Sequence, residues 1–99
     1  MRQAEKRHLD KLSRLGCVVC WREHGVHSPP EIHHINSMAM GKKSGHGLAI
    51  PLCPSHHRTG GLGVAIHEGK ETWESLYGTE LFLLNEVILM LEEEGAFHD

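Results

Sequence analysis

Apolar positions are sparse at the start of the chain and crowded at its end. Residues 2–14 are highly charged, and Leu9, Leu12 and Leu15 form a thin apolar stripe at helical spacing. This predicts a short helix that Gly16 stops. Between 17 and 37, Gly25 and the pair Pro29–Pro30 exclude a long helix. "EIHHI", residues 31–35, has the short β-branched alternation of a strand. Residues 38–47, "MAMGKKSGHG", read as a loop. "LAIPLC", residues 48–53, is apolar and leads into a short helix starting near Pro54–Ser55, with proline in the first turn. "RTGGLGV" ends that helix. A further helix is predicted from about Lys70 to Tyr77, broken by Gly78, and Thr79 can cap the next.

That last helix, at about 80–94, carries Leu81, Leu84, Val87, Ile88 and Leu91 on one face. Phe82, Leu83, Leu89 and Met90 widen the apolar surface beyond a single stripe. One reading packs the helix into the core. Another uses the extra surface to meet a partner or a second copy, so a homo-oligomer through this helix is open. Glu92–Glu94 read as a solvated end. Short helices around one strand-like segment make the expected class α+β.

At 99 residues the chain is one small domain, with the charged helix of residues 1–15 leading into residues 16–99. A core of this size commonly needs a disulfide or metal staple. The three cysteines cannot all pair internally, and ten histidines are a strong excess. Both facts favour metal chemistry in a reducing compartment over a disulfide framework. The formal charge of −3 is not that of a free-standing nucleic-acid binder, so any DNA contact must be local or assisted by another protein. No apolar run reaches the roughly 20 residues that span a bilayer. The polar start "MRQAEKRHLDKL" is no signal peptide. The expectation is a soluble, intracellular protein without a membrane partner.

Cys17 and Cys20 are separated by two residues, and so are Cys53 and His56. Two such knuckles supply four ligands for one tetrahedral Zn²⁺ and use every cysteine. His24 and His27 are alternative fourth ligands without a paired spacing to Cys53. His57 follows His56 directly. Adjacent side chains on a helix differ by about 100°, so His57 faces away from that ion. His33 and His34 are a second adjacent pair, and on a strand neighbours also diverge. A second divalent ion held by His33 and His57, with the other histidine of the strand acting on water or substrate, fits this pattern.

"EIHHI", a loop and then "AIPLCPSHHR" resemble the HNH nuclease motif, the ββα-metal finger. "GCVVC", "EIHHI", "IPLCPSHHRTGG" and "GVAIHEG" are more narrowly similar to the phage recombination-enhancement nucleases (the Ref family), HNH enzymes that cut DNA where a RecA filament has paired it. The likeness runs from about Gly16 to Leu91. It implies a small zinc-stabilised finger with flanking helices, acting on DNA phosphodiesters in a bacterial cytoplasm and encoded by phage or prophage. It implies His34 as general base, and His33 and His57 as ligands of a catalytic Mg²⁺, Mn²⁺ or Zn²⁺. Cys17, Cys20, Cys53 and His56 would hold the structural zinc. The family's loop-bracing Asn is missing, and His46 is the nearest polar substitute. A further family histidine, four residues beyond His57, is here Gly61, and His67 is the candidate replacement. Arg58, Lys42 and Lys43 are candidate phosphate contacts, which would bind backbone without choosing sequence. The rival reading is a zinc-stabilised binding module without catalysis, which would need the cysteine set but not His33, His34 and His57.

Overall fold

The computed structural model describes residues 3–35 and 48–98. Helix α1 (Gln3–Leu15) is followed by α2 (Val18–His24) and by a two-stranded antiparallel sheet of β1 (Glu31–His34) and β2 (Ala49–Leu52). A wide π turn at Ser55–Thr59 and a 3₁₀ turn at Ile66–Glu68 come next, and then α3 (Lys70–Tyr77) and α4 (Glu80–His98). The chain is α+β, as its pattern predicts. No helix among the described residues is long and apolar enough to cross a membrane.

The α1 stripe is the one seen in the sequence: Leu12 is fully buried, with Leu9 and Leu15 packed partly behind it. The seven-residue α2 was not expected. Gly25 and the prolines forbid a long helix, but they leave room for this one. The Cys17 side chain caps it by accepting from the Cys20 N–H, and Gly25, in the left-handed region, closes it. Gly16 has φ +82°, and a Cβ there would lie 2.7 Å from the His27 ring, so only glycine permits the junction between α1 and α2.

In the sheet, His33 pairs with Ile50 and His34 with Ala49. All of β2 is buried, so this strand is the floor of the core. Pro51 is tolerated because a two-stranded sheet consists only of edges. The short helix predicted to start near Pro54–Ser55 is present as a wide π turn over Ser55–Thr59. α1, α2 and α4 pack against β2, and Trp73 of α3 is fully buried beside them.

Thr79 caps α4, its hydroxyl accepting from the Phe82 N–H at 3.0 Å. This helix runs past the expected end, to His98. Its buried face is Glu80, Leu83, Leu84 and Val87, whereas Leu81 and Ile88, expected on the core stripe, are exposed. The sequence is apolar almost all round, so periodicity could not fix the phase. Glu80 lies on the same buried face, its carboxylate tied into the interior by Lys70 and His33.

Candidate metal centres

Cys17, Cys20, Cys53 and His56 converge from two stretches distant in sequence, with all four ligand atoms within 4.8 Å of one another. Cys17 stands at the start of α2 and Cys20 one turn on, while Cys53 leaves β2 and His56 lies on the π turn. The Cys20 and Cys53 sulfurs are 3.7 Å apart, and His56 Nδ1 lies 3.2, 3.5 and 3.7 Å from the sulfurs of Cys53, Cys20 and Cys17. A tetrahedron with Zn–S bonds of about 2.3 Å has S–S edges of about 3.8 Å. The donor set and its spacing therefore fit one metal ion such as zinc. Burial pushes the Cys17 thiol up to about 12, so without a cation this sulfur holds its proton. Burial also lowers the His56 pKa, which keeps its ring neutral and able to bind metal. Neither His24 nor His27 joins this group, and His27 Nε2 instead bonds the Arg14 carbonyl at 3.0 Å.

One residue of α3 also meets this centre, a contact not expected from the sequence. Tyr77 packs its ring edge-on to His56 at 5.4 Å and donates its hydroxyl to the Gly63 carbonyl at 3.0 Å. Tyr77 stands one helical turn after Trp73, and that spacing marks a shared helix face without saying what the face meets.

A second group lies on the other side of the π turn. His33, His57 and His67 also place one ligand atom each within 4.8 Å of the others. His57 Nε2 and His67 Nε2 are 3.0 Å apart, and His33 stands 5.2 and 5.3 Å, centroid to centroid, from His57 and His67. His67 reaches this place because of Gly61, which has φ +86°. The Val64 and Ala65 N–H groups both donate to the Gly61 carbonyl, and the chain turns back into the 3₁₀ turn that carries His67.

Two carboxylates stand behind these rings, and neither was singled out in the sequence. Glu31 accepts from His57 Nδ1 at 2.8 Å and from Arg58 through two nitrogens, Nε at 2.9 Å and Nη2 at 2.6 Å. The Arg58 guanidinium, followed by the His57 hydrogen bond, holds the Glu31 carboxyl at about 2. Glu80 accepts from His33 Nε2 at 2.6 Å and from Lys70 Nζ at 2.8 Å. Burial pushes the Glu80 carboxyl up, but Lys70 and His33 outweigh it, and it titrates below the usual carboxylate value. Burial lowers the His33 pKa against the opposing pull of Glu80. Glu80 is therefore ionised and His33 neutral, with the ring N–H donating.

His33, His34, His67, Lys70 and Glu80 line an open cavity of about 520 Å³. His34 is exposed at its edge, beside the buried His33. Arg58, expected to face phosphate, is engaged with Glu31, and Lys70 is the lysine at the cavity. His46, Lys42 and Lys43 lie outside the described residues.

No curated protein and no solved structure matches this chain. The profile of the recombination enhancement, RecA-dependent nucleases matches residues 2–92, from α1 through both metal-ligand groups and into α4. With nearly the whole chain covered, the protein belongs to the recombination enhancement, RecA-dependent nuclease family.

Proposed function

We propose that this nuclease is a metal-dependent HNH endonuclease that hydrolyses DNA phosphodiester bonds at sites paired by a RecA filament. The observation that carries the reading is the three-histidine group opening onto a cavity edged by His34. Three imidazoles are a donor set suited to a divalent transition ion, and they leave coordination positions for water and phosphate. When bound, such an ion offsets charge on the phosphate and on the leaving 3′ oxygen.

The remaining work falls to side chains of this chain. His33, His57 and His67 hold the ion. His34 takes a proton from the attacking water, because a neutral imidazole is the side chain best matched to base catalysis near neutral pH. Lys70, about half exposed at the cavity, is paired with Glu80 and offsets that carboxylate's charge where a phosphate would lie. The Cys17, Cys20, Cys53 and His56 centre fixes the π turn, and with it the direction in which His57 points. The formal charge of −3 makes tight autonomous DNA binding unfavourable, which supports a filament that delivers the substrate.

The test is a nicking assay on single-stranded, duplex and displacement-loop DNA, with and without RecA filaments, in Mg²⁺, Mn²⁺ or Zn²⁺. Cleavage restricted to filament-paired DNA is the expected result. Cleavage without the filament would leave an HNH nuclease but remove the RecA requirement. Absence of cleavage under every condition would favour the zinc-stabilised binding module.

A further inference from the structure

Each of two ligand histidines in the three-histidine group is held at one ring nitrogen by a carboxylate. His33 Nε2 is bonded to Glu80 at 2.6 Å, and His57 Nδ1 to Glu31 at 2.8 Å. An imidazole has two nitrogens, and a carboxylate acceptor fixes the proton on the one it touches. The nitrogen left to an ion is then Nδ1 of His33 but Nε2 of His57. His57 Nε2 is indeed the atom that meets His67 Nε2, at 3.0 Å.

We infer that Glu80 and Glu31 are positioning residues that impose a mixed ligand set on the ion, Nδ1 from His33 and Nε2 from His57 and His67. This rests on the proposal that the three histidines hold a divalent ion. Both carboxylates are braced for the task. The Glu80 side chain is only 8% exposed, and its other oxygen is held by Lys70 at 2.8 Å. Its backbone N–H donates to Glu74 at 2.9 Å, which pins the first turn of α4. Glu31 is gripped by both Nε and Nη2 of Arg58, so its oxygen cannot swing away from His57. Arg58 and Lys70 thus orient the metal ligands at one remove, each through the carboxylate it holds.

The inference also gives α4 a place in the site. Glu80 lies 47 positions from His33 in sequence and reaches it from the helix start, so correct seating of α4 sets the angle of one metal ligand. A chain that lost α4 would keep all three histidines and lose the control of one ring.

The test uses the full chain with zinc in the cysteine centre. Mn²⁺ or Co²⁺ is titrated into the second centre of the parent, Glu80→Gln, Glu80→Ala and Glu31→Gln. The glutamines keep shape and one acceptor, so they separate ring control from loss of packing. Affinity is expected to fall about 10- to 100-fold in each variant, with zinc content and circular dichroism unchanged in Glu80→Gln and Glu31→Gln. Nitrogen NMR of the parent with cadmium in the second centre needs no variant, and should show metal coupling at His33 Nδ1 and His57 Nε2. Coupling at His33 Nε2, or unchanged affinity in folded Glu80→Gln and Glu31→Gln, overturns this inference alone. A parent chain that binds zinc and no second ion overturns the catalytic-ion reading, and this inference with it.

Discussion

His34 and His33 are neighbours with opposite fates, one exposed and one buried. That difference separates their roles. With His34 as the proposed base, His34→Ala should lower cleavage by about 10²- to 10⁴-fold. Zinc content and melting temperature should stay within error of the parent, and a variant that cuts at the parental rate contradicts the assignment. Gly61 makes a different point. A histidine there would match the family spacing, but φ +86° lies where L side chains are strained. Gly61→His should therefore cost about 1–2 kcal/mol in urea denaturation, and should not raise affinity for a second ion. The two pairs of two-residue spacing in the cysteine centre were fully legible, because knuckle geometry is local. Glu31 and Glu80 were not, because a carboxylate next to a strand or at a helix start looks like any solvated charge until its partner is known.

At the scale of elements, α4 shows where pattern reading stops. A helix with apolar residues on every side has no phase of its own, and its face is chosen where Leu83, Leu84, Val87 and the Glu80 ion pair are buried together. Leu83→Ala should then cost about 2–5 kcal/mol, since its side chain is fully buried. Leu81→Ala and Leu89→Ala, on the exposed side, should stay within about 0.5 kcal/mol in the same denaturation measurement. The reverse order would place the other face against β2. The π turn at Ser55–Thr59 is a second case. Its sequence reads as an ordinary helix start, but the wider turn must send His56 toward the cysteines and His57 toward Glu31. The 3₁₀ turn with His67 has no periodic signature at all. It exists because the glycine-rich segment folds back, and only its neighbours give that its meaning.

For the whole molecule, the cysteine centre joins α2 to the end of β2 and the π turn, so metal loss should loosen all three together. A strong chelator should melt the tertiary structure, and Cys17→Ser should lower the thermal midpoint markedly; a zinc-free chain with unchanged near-ultraviolet dichroism would refute the staple. Acid should act in two stages. His33 and His56 titrate below their usual 6.5 in the fold, so the unfolded chain takes up protons first as pH falls. Stability is therefore full from about 6.5 up to the ordinary thiol value of 9.0 and declines below about 6.5, more steeply with zinc bound because protons compete for the ligands. The carboxylates add a second loss below about 4.5, which for Glu31 continues to about 2. A urea midpoint measured from pH 8 to pH 3 should follow this descent, and a midpoint that rises on acidification would contradict it. By itself the sequence marked Cys17, Cys20, Cys53 and His56 as two knuckle pairs able to hold a metal, because the two-residue spacing within each pair is local. It also determined the α+β class, because turn residues and apolar period act locally. The tertiary structure alone decided which carboxylate stands behind which histidine, which face of α4 is buried, and that His67 joins His33 and His57. Those contacts join residues far apart in the chain, and their energy comes from burial and charge pairing that exist only once the elements have packed.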